Sequence, residues 1–245
     1  MILAMLPTYN EAENIKPLME EILALRSDIE IVVIDDNSPD GTWRIVGEMA
    51  AQNPRIHLIH RKNERGRGSA SVVGFAFALK CGADFVVEMD ADFSHQPRFI
   101  PALLKAAEHA DLVIGSRLIA GGGETGRSPI RTLITHLANL YIRLMLGIKT
   151  KDCTSGYRVF RRAVIEGLKP ETLNSKGPAI VQETLWRCRQ NRVRIAEVPI
   201  LFEERRSGKS TFNSKIMLAG LWAVFKLRFQ KQDASSGAGG ADAVK

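Results

Sequence analysis

Two carboxylates spaced to act together stand in the stretch Glu88-Met89-Asp90-Ala91-Asp92-Phe93-Ser94-His95. They follow the apolar run Phe85-Val86-Val87, which reads as a buried strand. Residues two apart in an extended chain point the same way, so Asp90 and Asp92 can share one focus if extension continues past the strand end. With Ser94 they form a partial oxygen shell suited to Mg2+ or Mn2+, ions that keep positions open for water and phosphate oxygens. Taken alone, an Asp-x-Asp is more often a solvated loop. The elements around it reverse that reading.

Apolar runs at 2–6, 30–34, 56–59, 85–89 and 112–115 predict strands, and helices are predicted near 15–25, 42–51, 69–80 and 99–108. This alternation predicts an α/β fold, a Rossmann-like and mostly parallel sheet flanked by helices. Such sheets bind ligands at the carboxyl ends of their strands, near a change in strand order. The first strand end carries Pro7-Thr8-Tyr9-Asn10-Glu11, without the glycine fingerprint of a nicotinamide or flavin site. At the second, Asp35 and Asp36 suit ribose hydroxyls or base N–H donors, while Asp40 reads as a helix cap. The third delivers Arg61-Lys62-Asn63-Glu64-Arg65-Gly66-Arg67-Gly68 to the start of a helix, a ready anion site. The fifth ends in Ser116-Arg117.

Beyond Arg117 the pattern changes. Residues 120–127 form a mobile loop by composition. A helix is predicted over 129–146, nearly all apolar outside a stripe of Arg131, Thr135, Asn139 and Arg143. So apolar a helix is either buried or set in a membrane interface, and burial is the expectation. Residues 152–160 read as a turn feeding a short strand, 175–190 contain a helix, and 193–202 read as a strand that Pro199 places at an edge. Gly208-Lys209-Ser210 imitates the end of a P-loop, but Glu203 stands where its earlier glycine belongs. Residues 216–225 are apolar and run into Lys226-Leu227-Arg228, too short to span a bilayer, which takes about twenty residues. They suit a membrane surface, a membrane-embedded partner or the core. A disordered tail is expected over 233–245.

The chain of 245 residues has a formal charge of +7, which favours phosphate-bearing partners or an anionic membrane. Only 7% of its residues are aromatic and no nucleic-acid motif is present, so nucleic acid is excluded as a partner. Its three cysteines, lacking CxxC spacing, read as reduced core thiols. No secretory signal is visible at the N-terminus.

Taken in order, Pro7-Thr8-Tyr9-Asn10-Glu11, Asp35-Asp36-Asn37-Ser38-Pro39-Asp40-Gly41, Asp90-Ala91-Asp92-Phe93-Ser94-His95 and Gly115-Ser116-Arg117 resemble the family 2 glycosyltransferases of GT-A fold. Asp152-Cys153-Thr154-Ser155-Gly156, Ser175-Lys176-Gly177 and Val198-Pro199-Ile200-Leu201-Phe202 narrow the resemblance to polyprenyl- or dolichyl-phosphate mannose synthases, over residues 1 to about 230. The resemblance implies a nucleotide-sugar half, 1–117, and an acceptor- and membrane-facing half, 118–230. It implies that Pro7, Tyr9, Glu11, Ile34 and Asp36 hold the nucleotide, with Asp90, Asp92 and Ser94 around Mg2+ or Mn2+. Arg117, Arg131, Arg206 and Lys209 would face the donor and acceptor phosphates. The implied reaction moves mannose from GDP-mannose to polyprenyl or dolichyl phosphate with inversion, at the cytoplasmic face of a membrane. A UDP-sugar donor, or a non-catalytic nucleotide-sugar-binding subunit, are the alternatives. The chain departs from its relatives near the C-terminus, where Lys209 precedes Ser210 and Thr211 follows it, and at Pro178 and Val181 on the acceptor side.

Overall fold

A computed structural model describes residues 1–203 and 214–229. Its strands are β1 (Ile2–Thr8), β2 (Ile29–Asp35), β3 (Ile56–His60), β4 (Phe85–Glu88), β5 (Leu112–Ser116), β6 (Gly123–Thr125), β7 (Arg158–Arg161), β8 (Ile195–Pro199) and β9 (Leu201–Glu203). The helices are α1 (Ile15–Leu25), α2 (Thr42–Gln52), α3 (Arg67–Cys81), α4 (Ile100–Ala106), α5 (Pro129–Leu146), α6 (Arg162–Leu168), α7 (Ile180–Gln190) and α8 (Ser214–Phe229). Seven strands form one sheet in the order β3-β2-β1-β4-β7-β5-β8. Only β7 runs antiparallel to its neighbours; the other pairs are parallel. The predicted mostly parallel α/β sheet is therefore present.

Both faces of this sheet are covered, which is why its strands read as unbroken apolar runs. In β1, Ile2, Ala4 and Leu6 join Ile15, Leu18, Met19 and Ile22 of α1 in one core. Leu3 and Met5 join Phe75 and Ala78 of α3 in the other. Order reverses beside β1, since β2 and β3 lie to one side and β4 to the other. The crevice for a ligand is thus expected where β1 and β4 end.

Four expectations need correction. Pro7 does not end β1. Pairing with β4 stops at Met5↔Glu88, so Pro7 lies in a stretch paired only with β2, where one missing N–H is tolerated. Residues 120–127 are not a mobile loop throughout, because Gly123–Thr125 pairs with Leu201–Glu203 as a second, two-stranded sheet. Cys81 is exposed, not a core thiol. Cys153 and Cys188 are buried, and desolvation pushes both thiols up to about 12.

The fourth correction concerns α5. Its start is set by Ser128, whose hydroxyl accepts from the Arg131 N–H, and by Pro129 in the first turn. Gly147 in the left-handed region ends it. Its apolar face points outward. Ile130 is 71% exposed and Leu144 74%, with Leu133, Ile134, Leu137 and Leu140 exposed between them. Of the polar stripe, Asn139 turns inward instead, buried beside Ile142 and Leu146, while Arg131 stays exposed. A second apolar row, Leu218, Trp222, Phe225 and Phe229, is exposed on α8. The two helices pack together through buried Val224 and Leu227 and a hydrogen bond from the Tyr141 hydroxyl to the Leu221 carbonyl, 3.2 Å. Among the described residues no helix is long and apolar enough to cross a membrane.

Candidate active site

The acidic turn follows β4 directly. Extension does not continue past Glu88, which corrects the expectation that Asp90 and Asp92 alternate along a straight strand. Phe93 takes φ of 64°, a costly conformation for a bulky residue, and the chain doubles back. The Ser94 N–H and hydroxyl both donate to Asp92 Oδ1, at 3.1 and 2.6 Å. The Asp90 N–H donates to His95 Nδ1 at 3.0 Å. Asp92 is buried, whereas the Asp90 side chain is 34% exposed, so only Asp90 presents its carboxylate broadly to the crevice.

His95 is buried and stacked on Tyr157, ring centroids 5.0 Å apart, with Phe202 edge-on. Burial lowers its pKa against the opposing pull of Asp90 and Asp92. Because Nδ1 accepts from a backbone N–H, its 3.8 Å approach to Asp90 is not an ion pair. His95 is a neutral buttress of the turn.

Beneath the turn, Glu88 accepts from the Ser71 hydroxyl at 2.6 Å and lies opposite Arg158 in the β4–β7 register. The fully buried Arg158 donates to the carbonyls of Ser155 and Val181, at 2.9 and 2.7 Å. Arg67, in the first turn of α3, brings Nη1 within 2.7 Å of Asp90 Oδ1.

The neighbouring strand ends are tied together before any ligand arrives. Asp35 accepts from the Thr8 and Ser38 hydroxyls and the Ser38 N–H. Asp40 accepts from the N–H groups of Thr42 and Ala12, so it tethers the start of α2 and the first loop, although the cap position itself falls on Gly41 and not on Asp40 as expected. Glu11 accepts from the Asn14 side chain, and its N–H donates to the Thr42 hydroxyl. Tyr9 lies under the Arg65 guanidinium, 3.6 Å from the ring centroid. Pro7, Tyr9, Asp36 and Asp90 thus share one rim. Ile34 contributes a core side chain packed with Met5, not a polar group.

Asp36 is already engaged: Arg61 donates two guanidinium N–H groups to Oδ1, and the Gly66 N–H donates to Oδ2 at 2.7 Å. Arg61 was legible as part of a basic loop, but nothing local tied it to Asp36, 25 residues away. The anion site expected at the start of α3 is also filled by protein. The N–H groups of Gly68 and Ser69 donate to the Lys176 carbonyl, at 2.9 and 3.3 Å. A Cβ on Gly68 would stand 1.9 Å from the Ser175 carbonyl oxygen, so this close approach requires glycine.

Arg117 forms the second charged centre. Its Nε and Nη2 donate to the two oxygens of Asp152 at 2.7 and 2.8 Å, and Nη1 lies 3.1 Å from Glu124. Thr154 receives a further bond from Nη2 and another from the Asn139 amide of α5. Arg127 bonds Glu124 at 2.6 Å, and Arg117 and Arg127 both approach the Phe202 ring. Asp152, Glu124 and Arg127 carried no local signal of this network. Arg131 is exposed on the first turn of α5. Arg206 and Lys209 lie outside the described residues.

An acidic turn at a strand-order reversal, beside clustered arginines, has the chemistry that suits a phosphate-bearing ligand. Residues 4–168 match the family model described as Glycosyl transferase family 2. The chain belongs to the family 2 glycosyltransferases. It is 38% identical over 216 residues to an undecaprenyl-phosphate mannosyltransferase of Micrococcus luteus, covering 88% of this chain and 89% of that one. It is 38% identical over 224 residues to a polyprenol monophosphomannose synthase of Mycolicibacterium smegmatis, covering 91% of this chain and 84% of the relative. In structure it resembles the glucosyl-3-phosphoglycerate synthase of Mycobacterium tuberculosis, solved with Mn2+, UDP-glucose and glycerol 3-phosphate. There the TM-score is 0.65 at 21% identity, over 97% of this chain and 83% of that one, a likeness of fold.

Among the glycosyltransferase's described residues no three His, Cys, Asp or Glu side chains gather into a ready cation cage. The donors at the turn are hard oxygens: two carboxylates, and a Ser94 hydroxyl whose proton is spent on Asp92. Such a set fits a divalent ion that takes its remaining ligands from water and a diphosphate, the usual habit of Mg2+. The glycosyltransferase thus has residues that fit the ion.

Proposed function

We propose that this glycosyltransferase moves mannose from GDP-mannose to a polyprenyl (dolichyl-type) monophosphate, inverting the anomeric carbon, while resting on a membrane surface. The observation that carries this reading is the orientation of α5. Its buried stripe reaches Thr154, the partner of Arg117, through Asn139. Its opposite face exposes six large apolar side chains. One helix therefore serves both a polar site and an apolar phase, which is what an acceptor with a charged head and a hydrocarbon tail demands. The two polyprenol-phosphate mannosyltransferase relatives support the same acceptor and sugar.

A monoester phosphate, with its second pKa near ~6, is largely dianionic at neutral pH and attacks without a general base. This agrees with a buried, neutral His95 whose Nδ1 is occupied. Displacement is then a single step, which inverts the anomeric carbon. The demand on the protein is charge management at the leaving diphosphate. Asp90, Asp92 and Ser94 would hold Mg2+ or Mn2+, which when bound neutralises that charge as a Lewis acid. Pro7, Tyr9 and Glu11 line the nucleotide side, with Asp36 holding the Arg61–Gly66 loop in place. Arg131, Arg206 and Lys209 are assigned to the phosphates. Arg117, engaged by Asp152 and Glu124, is assigned as a positioning residue for the acceptor loop.

The test offers GDP-mannose and UDP-glucose separately, with detergent-solubilised polyprenyl phosphate, Mn2+ or Mg2+, and an EDTA control. Metal-dependent, solvent-extractable product from GDP-mannose is expected. Product from UDP-glucose alone would overturn the donor, and no lipid product from either would overturn the acceptor. Membrane attachment has its own prediction. Each leucine immersed in the acyl region contributes about 1.5–3 kcal/mol, so Leu133→Glu with Leu137→Glu should weaken vesicle partitioning about a hundredfold or more. Flotation with anionic vesicles reads this directly, and undiminished flotation would remove α5 from the contact.

A further inference from the structure

Arg67 is the one cation that touches the acidic turn among the described ion pairs, and most of its guanidinium has no assigned task. Nη1 pairs with Asp90 at 2.7 Å. Nε and Nη2 are buried and have no hydrogen-bond partner among the described residues. Buried N–H groups are costly when unpaired, and such orphans call for a functional explanation. The room for this fork is built in. A Cβ on Gly156 would stand 2.2 Å from Arg67 Nη2 and 3.0 Å from Cζ, so any side chain there would displace the guanidinium. The anionic surroundings of Asp90, Glu88 and Asp92 outweigh desolvation and keep Arg67 charged.

We propose that Arg67 is a counter-charge for the acidic turn and a ligand of the donor diphosphate. Without a donor it neutralises Asp90 and competes with the divalent ion for Oδ1. When ion and nucleotide enter together, it releases Asp90 and donates its unused N–H groups to a diphosphate oxygen. A planar guanidinium suits this exchange, since its fork matches carboxylate and phosphate oxygens alike. The inference rests on the assignment of Asp90 and Asp92 to a divalent ion.

Mn2+ binding by the full chain, followed by electron paramagnetic resonance without nucleotide, separates the two assignments. Arg67→Gln, which keeps the reach and removes the charge, should bind Mn2+ about tenfold more tightly than the unaltered chain. Arg67→Lys, which keeps the charge, should bind Mn2+ as the unaltered chain does. In saturating Mn2+ both variants should bind GDP about tenfold more weakly, because neither presents the fork. Thermal unfolding of both variants verifies that they are folded. Equal Mn2+ affinity in Arg67→Gln and the unaltered chain would overturn the competition while leaving the metal site standing. Unchanged GDP affinity in both variants would overturn the diphosphate contact. No Mn2+ binding by any of the three proteins would overturn the metal assignment and this inference with it.

Discussion

Asp92→Asn is expected to lower metal-dependent sugar transfer about a thousandfold, with the fold retained. Asparagine has nearly the same volume, and its amide oxygen still accepts from the Ser94 N–H and hydroxyl, the two bonds that shape the turn. What it lacks is the charge. If Asp92 serves only the turn, asparagine should be harmless; if it helps hold the ion against a departing diphosphate, the loss falls on the chemical step. Initial rates across a Mn2+ titration, with thermal unfolding as the control for folding, distinguish the two. Near-normal rates in a folded Asp92→Asn protein would show that the acidic turn is architectural. Asp90→Asn should show the same loss of rate, and it also releases Arg67 from its ion pair.

Asp152→Ala is expected to destabilise the protein by about 3–5 kcal/mol, through the charge it strands and not through lost volume. The Asp152 side chain is fully buried and accepts from the Arg117 N–H and guanidinium and from the Ser155 N–H. Removing it leaves Arg117 in a buried position with Glu124 as its remaining acidic partner at 3.1 Å. Urea unfolding at neutral pH measures the difference directly. The pH dependence provides a second check. Burial pushes the Asp152 pKa up, but bonds and charge from Arg117 outweigh it, so the folded value lies below the ordinary one. The folded state therefore favours ionised Asp152, and its contribution is complete above the unfolded pKa of about 3.9. The contribution is lost as pH falls through the folded value, so the gap between the unaltered chain and Asp152→Ala should narrow in acid. A gap that stays constant from pH 7 to below 3.9 would show that Asp152 contributes through packing alone.

The same network explains why the chain beyond Arg117 is ordered around α5. Asn139 accepts from the Cys153 N–H at 2.6 Å and donates to Thr154 at 3.1 Å, so the helix is pinned by its polar stripe. With Asn139 inward, the exposed leucines are a consequence of the anchoring. Trp222, stacked on Phe225 at 5.3 Å with Lys226 nearby, extends the exposed apolar surface on α8 and adds a basic edge. Aromatic and basic side chains of this kind favour the polar boundary of a bilayer.

Much of this protein was legible from local pattern alone. The alternation of strands and helices, the carboxylates at successive strand ends and the bonds of Asp40 to Thr42 at the start of α2 all follow from residues within a few positions of each other. The chain geometry that links such neighbours is the same in any fold. What tertiary structure decided involves either distant partners or a choice between faces. Periodicity placed Arg131, Thr135, Asn139 and Arg143 on one stripe of α5, but periodicity is symmetric about which side is buried. That choice came from Thr154 and Cys153, which offered Asn139 its hydrogen bonds. Asp36 stood out as an acid at a strand end, but only the fold brought Arg61 against it. The basic loop looked like an anion site until Lys176 turned its carbonyl onto the Gly68 and Ser69 N–H groups. Arg67 was one charge in a basic run until α3 docked and set it between Asp90 and the space left by Gly156. Sequence determines which groups are available and which neighbours share a face; the packed sheet determines which opposite charges meet, because only close approach and exclusion of water make those pairings strong.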